Sequence, residues 1–333
     1  MKRIFALFLV IAATGILLAK VTVPSLAGGS KPELLSVPAG EADGDGSKFS
    51  TRTYPLSDFT DLDVSNAVKV IYTQGDSYKV QLTGRTDWLD LMEVTSKGGT
   101  LKVQAKSNRK FNNVKKKDQP DGEHNFILHL TAPCLQNIIL GGVSEFKGNR
   151  LYSDRLSVRL GGVSKMEVKE IDCTSLNLHV MGVSEVDADK ITCEHLDVEV
   201  QGSSKTDIDI LSAKTVGFNI SGASKVHLPQ FTQGERATFS VNGASKLTLS
   251  AEVSGDMNIG LAGASKGELT FKGGILRTVC TGASKLNADV NCKKLHANCD
   301  GASKANFSGT ADQVEIDRSG VAVNIDTSHL NQF

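Results

Sequence analysis

The chain has 333 residues, 37 basic against 37 acidic side chains, 5% aromatic residues and 32 glycines. Scarce aromatics and plentiful glycine suit thin, tightly bent layers better than a large globular core. A balanced charge gives no support to nucleic-acid binding.

Met1 to Ala27 opens with Lys2 and Arg3, runs apolar from Ile4 to Ala19, and ends on Ser25-Leu26-Ala27. A basic start, an apolar core and a small-x-small triplet read as a cleavable secretory signal. An uncleaved anchor is the rival reading, although the apolar run is short of the ~20 residues a bilayer needs. Signal removal leaves 34 basic against 37 acidic residues and no transmembrane segment. The rest of the chain is expected to be exported, to the periplasm, the cell surface or the extracellular space. Residues 28–48 are rich in Gly, Pro, Ser and acids, and read as a flexible linker.

Residues 49–124 alternate without a repeated phrase. Leu62, Val64, Val68, Val70 and Tyr72 keep period two, with Asn66 where a glycine stands in the later units. Gln74-Gly75-Asp76-Ser77 is a turn, Asp87 to Met92 a short helical piece, and Gly98-Gly99 a second turn. These strands are expected to form an N-terminal β cap over the first coil. The basic segment from Lys106 to Glu123, with Arg109, Lys110, Lys115, Lys116 and Lys117, reads as a solvated loop.

From residue 125 to 333 one phrase, Gly-x-Ser-[Lys/Glu], recurs nine times. Its glycines are Gly142, Gly162, Gly182, Gly202, Gly222, Gly243, Gly263, Gly282 and Gly301, spaced by 19 to 21 residues. Large apolar residues sit two and four places before seven of the nine glycines, as in Leu160 and Val158, and often four after, as in Met166. Polar residues lie between them, as in Arg159 and Lys165. Period two means strand. The same parity carried through the phrase places both Gly and Ser inward, with the glycine at a bend. A second corner of small residues is expected about eleven places on, at Ser153, Cys173 and Cys193. Units of 20 residues with no hairpin turn between them imply a right-handed parallel β-helix, an all-β solenoid with one unit per coil.

Stacking turns each position into a column. Three places after the glycine run Glu145, Lys165, Glu185 and Lys205, then Lys225, Lys246, Lys266, Lys285 and Lys304. The last five form a row of like charges, about 4.8 Å apart, which reads either as a solvated flank whose long stems splay with their ends in water or as a stripe suited to an anionic polymer. A second column stacks Asp187 and Asp189 over Asp207 and Asp209, with Lys169, Lys190 and Lys205 near enough to neutralise them. Cys173 with Cys193, and Cys280 with Cys299, are expected as buried, reduced neighbours. The seven His are scattered and read as outward polar residues, so no metal site and no cofactor is expected. Seven of the nine phrases set Lys beside Ser, and so many copies are architecture, since a catalytic constellation occurs once. No catalytic residue is assigned.

The run Leu62-Asp63-Val64-Ser65-Asn66-Ala67-Val68-Lys69-Val70, with Gln74-Gly75-Asp76, Leu101-Lys102-Val103 and the repeated Gly-[Ala/Val]-Ser-[Lys/Glu], resembles the auto-transporter adhesin head, or GIN, domain family. The resemblance covers about residue 49 onward. It implies a secreted or envelope β-helical protein and supplies no catalytic residues. The expected function is therefore non-catalytic: an adhesin-like binding or display module for an anionic glycan or an envelope protein. A β-helix enzyme acting on acidic polysaccharide and a periplasmic structural scaffold are the alternatives.

Overall fold

A computed structural model describes residues 48–106, 111, 114–320 and 323–332. The expected signal segment, almost all of the linker, and Arg109 and Lys110 lie outside the described residues. What is described is almost all β, a solenoid of about ten turns with about 20 residues each.

The order opens with β1 (Phe49–Tyr54), β2 (Asp61–Val64), β3 (Val68–Gln74) and β4 (Lys79–Arg85). One helical turn, α1 (Thr86–Leu89), leads to β5 (Met92–Lys97) and β6 (Thr100–Ala105). β5 and β6 pair antiparallel across Gly98 and Gly99, both left-handed. β7 (Phe126–Ala132) and β8 (Asn137–Leu140) follow, and β4 pairs antiparallel with β1 and β7. β2 and β3 behave differently. They pair parallel with β8 and with the start of β9 (Glu145–Leu160). Parallel stacking thus begins at Asp61, inside the segment expected to be cap. Asn66 is the first corner, with φ 74°.

Complete turns continue through β10 (Lys165–Val180), β11 (Glu185–Val200) and β12 (Lys205–Ile220). Two turns are each interrupted, as β13 (Lys225–Thr232) with β14 (Arg236–Val241), and β15 (Lys246–Glu252) with β16 (Asp256–Leu261). β17 (Lys266–Cys280), β18 (Lys285–Asp300), β19 (Lys304–Ser319) and β20 (Asn324–Gln332) complete the stack. Each strand lies parallel to its neighbours one coil away, as in Met166 opposite both Phe146 and Val186. Among the described residues no helix is long and apolar enough to cross a membrane.

The coil has more bends than its parity predicts. In β10 the buried positions are Met166, Val168, Ile171, Cys173, Leu176, Leu178 and Val180. Steps of two are broken by steps of three at Val168–Ile171 and Cys173–Leu176. A step of three re-aims an extended chain, so two shallow bends share the work expected of one corner, and Cys173 lies inward between them.

The glycine corner also differs from expectation. The serines are buried, but the glycines face out. Ser164 Oγ donates to the carbonyl of Gly161 at 2.8 Å, closing the corner locally. Gly162 has φ 77°, a conformation that costs a residue with a Cβ about 1–2 kcal/mol. Its coil neighbour makes the demand stricter. Val163 N–H donates to the Gly142 carbonyl at 2.8 Å, and that bond draws the corners together. A Cβ on Gly162 would lie 2.5 Å from the same carbonyl oxygen. Glycine is required by backbone approach at the surface and not by crowding in the core.

Cys173, Cys193, Cys280 and Cys299 are buried free thiols. The Cys173 thiol and burial push the Cys193 thiol well up, so it stays protonated. Burial also pushes Cys292 up to about 11.

Candidate functional site

The outward column three places past each corner is the most ordered chemical feature of the surface. It begins one coil earlier than the repeated phrase reveals, at Lys69 opposite Glu145. Lys165, Glu185 and Lys205 continue it in register. Lys205 is opposite Lys225, and Lys225, Lys246, Lys266, Lys285 and Lys304 then follow one another without a break. The backbone ladder thus brings together all five lysines singled out in the sequence.

The two halves of this column have different surroundings. In the first half the column two places further along supplies counter-charges. Glu145 takes Lys69 at 3.2 Å and Lys147 at 3.1 Å. Glu167 takes Lys147 at 2.6 Å and Lys165 at 2.5 Å, and these two bonds hold its carboxyl below the usual range. Lys205 pairs with Glu185 at 3.2 Å and also with Asp207. In the second half Lys246 meets Glu268 at 2.9 Å. Among the described residues Lys225, Lys266, Lys285 and Lys304 make no ion pair, and all four are exposed.

The lattice is anchored at the N-terminal end by Asp121, from the segment expected to be a solvated loop, and by His124, expected to be an outward polar residue. The Glu145 side chain is only 10% exposed. His124, also buried, places Nε2 3.4 Å from Glu145 and Nδ1 3.0 Å from Asp121. Asp121 accepts the backbone N–H groups of His124 at 2.7 Å and Glu123 at 3.0 Å. Burial would raise the Asp121 carboxyl, but these bonds and the His124 ring outweigh it and hold it at about 2. His124 is therefore not an outward polar residue. No sequence period could show this, because its partners come from another coil and a non-repeating segment. Phe111 packs on Trp88 and Phe126, with ring centroids 5.3 Å away in each case.

The acidic column stacks as expected, with Asp187 opposite both Glu167 and Asp207. Its compensation is different. Lys190 goes to Glu170 at 3.3 Å, leaving Lys205 for Asp207. Burial and then the Asp207 charge push the Asp187 carboxyl up. Asp187 and Asp189 line a shallow groove of about 310 Å³ with Lys147 and Lys169, and no arginine lines it. Among the described residues no three His, Cys, Asp or Glu converge to hold a metal ion.

The repeated Ser-Lys pair is not arranged for nucleophilic attack. Ser224 is buried and donates to the Ser221 carbonyl at 2.9 Å, while Lys225 is exposed on the opposite face. The two side chains diverge because adjacent strand residues point to opposite sides.

Comparison with solved structures finds a “putative adhesin” from Bacteroides fragilis, 16% identical, covering 84% of this chain and 97% of that one, with a TM-score of 0.39. A “putative adhesin” from Parabacteroides merdae is 14% identical, with coverage of 84% and 97% and a TM-score of 0.47. A “putative lipid binding protein” from Parabacteroides distasonis is 14% identical, with the same coverage and a TM-score of 0.42. No curated protein matches the chain. A family model matches residues 58–252, more than half of the sequence, from the first coil through β15. The chain belongs to the family described as “Putative auto-transporter adhesin, head GIN domain”.

Proposed function

We propose that this protein is a non-catalytic, adhesin-type module of the bacterial cell envelope, exported from the cytoplasm, that binds an extended anionic polymer along Lys225, Lys246, Lys266, Lys285 and Lys304. One observation carries the reading: the parallel register stacks these five lysines in a single exposed column, four of them without an ion pair among the described residues. Four steps of about 4.8 Å make a cationic track about 19 Å long. Like charges so close cost energy unless an anion or solvent ions answer them. A flexible polyanion meets several ammonium groups at once, and affinity builds from individually weak contacts. The buried serines and the absence of an arginine from the acidic groove support the non-catalytic side of the reading.

The test is a five-fold Lys→Gln variant at these positions, titrated with heparin at low and high salt. The parent is expected to bind at low salt and to weaken steeply as the screening length shortens to about 8 Å at physiological ionic strength. The variant is expected to bind at least about tenfold more weakly at low salt. Equal binding by parent and variant at low salt would return the column to a solvated flank.

A further inference from the structure

Two more outward columns change character at the same coil as the lysine column. Five places past the corner, Lys147, Glu167, Asp187 and Asp207 give way to His227, Thr248, Glu268, Asn287 and Asn306. Seven places past it, Lys169, Asp189 and Asp209 give way to Pro229, Ser250, Thr270, Asp289 and Ser308. Charged side chains, of which Lys147, Glu167 and Asp207 are ion-paired, are replaced mainly by short hydroxyls and amides. The result is a groove of about 610 Å³ along the solenoid from β13 to β20, beside the lysines. Its ends are marked by irregularities in the ladder, between Leu228 and Phe231 at one end and opposite Asn306 and Ser308 at the other.

We infer that this groove is the floor of the polymer site and that its ligand is an acidic polysaccharide. The inference rests on the lysine-column reading and goes beyond it by assigning the ligand's chemical class. Thr248, Ser250 and Thr270 make no side-chain hydrogen bond among the described residues, so their hydroxyls face the groove with donor and acceptor capacity to spare. Asn306 Nδ2 donates to Asn287 Oδ1 at 2.7 Å and Ser308 Oγ to Asp289 Oδ1 at 3.0 Å, which holds those side chains in a flat row. Such a floor reads hydroxyl groups. Its one phenyl ring, Phe307, is buried at 2% exposure, so apart from the imidazoles of His227 and His329 it offers no ring for stacking bases. Asp289 and Asp326 line it too, and they repel a ligand that presents anionic groups on every side. A chain that turns hydroxyls to the floor and carboxylates or sulfates to the lysine rim satisfies both columns.

The experiment uses the full chain and two probes of matched charge, polygalacturonate and inorganic polyphosphate. Thr248→Val, Ser250→Ala and Thr270→Val together remove three floor hydroxyls while keeping strand-compatible side chains. If that variant melts below the parent, Thr270→Val alone is used. Polygalacturonate affinity is expected to fall by about tenfold for the triple variant and severalfold for the single one. Polyphosphate affinity is expected to stay within about twofold, because it needs only the lysines. Undiminished polygalacturonate binding would overturn the floor assignment and leave the lysine column standing. Equal losses for both probes would overturn the assignment to a glycan. Retention of both probes by the five-fold Lys→Gln variant would instead sink the lysine column, and this inference with it.

Discussion

From Lys69 to Lys205 the outward column alternates in sign, and every member has an ion pair within 4.0 Å. From Lys225 to Lys304 the same column is all lysine and carries one ion pair among the described residues. Yet the corner bonds are alike in both halves: Val183 N–H to the Gly162 carbonyl is 2.9 Å, and Ala283 N–H to the Gly263 carbonyl is 2.8 Å. Charge pairing is therefore not what holds coils in register. The backbone ladder and the inward side chains do that everywhere, which leaves outward columns free to change chemistry. In the first half they seal the surface. In the second they leave uncompensated cations beside a polar groove.

The largest expected effect attacks the feature both halves share. Gly222 has φ 81°, and an added Cβ would lie 2.4 Å from the Gly202 carbonyl oxygen. Gly222→Val is expected to cost about 4 kcal/mol or more, combining a left-handed β-branched residue with a backbone collision. Gly142→Ala is the internal comparison. Its Cβ would come no nearer than 3.3 Å to the Asn66 backbone, so the cost should approach the conformational term alone, about 1–2 kcal/mol. Hydrogen exchange and thermal melting of the two variants measure the difference. Equal destabilisation would mean that approach between corners is not what demands glycine.

The middle effect is confined to the first half. Glu145 is nearly buried and answers Lys69, Lys147 and His124. Glu145→Gln keeps the shape and leaves Lys69 and Lys147 short of a counter-charge, at an expected cost of about 3 kcal/mol. Lys285→Gln, at an exposed site in the same column, should change stability by less than about 0.5 kcal/mol. Urea unfolding of both variants decides the matter. A cost for Lys285→Gln comparable to that for Glu145→Gln would erase the distinction between the halves.

The repeat made the fold legible. Its 20-residue spacing, period-two alternation and lack of hairpin turns led to parallel coils, and Asn66 was identifiable as a corner from its flanking Val64 and Val68. The lysine column followed from the same spacing. Three things were not legible. The outward glycine was hidden because parity cannot be carried through a left-handed residue. The two shallow bends were hidden because Ile171 and Cys173 restart the alternation without a turn signal. The Asp121–His124–Glu145 anchor was hidden because a non-repeating segment folds back on the stack, a contact with no period. The polar groove lay in plain view as outward residues, but its meaning needed three columns set side by side.

The smallest expected effect concerns the stability of the five-fold Lys→Gln variant, and it controls the meaning of its binding loss. At about 4.8 Å in bulk water two unit charges repel by at most about 0.9 kcal/mol, and lysine ends that splay apart feel less. The column between Lys225 and Lys304 should therefore destabilise its own half slightly at low salt. Replacing it should leave the melting temperature unchanged or raise it by about 1–2 °C, with the difference fading as salt screens the parent. A variant that melts several degrees lower would show that the lysine stems cover apolar surface and contribute cohesion, and a loss of polymer binding could then reflect a loosened second half. A variant as stable as the parent leaves one account of lost binding: the cations themselves were the contact, and the half that needs no charge to stack is the half that uses charge to bind.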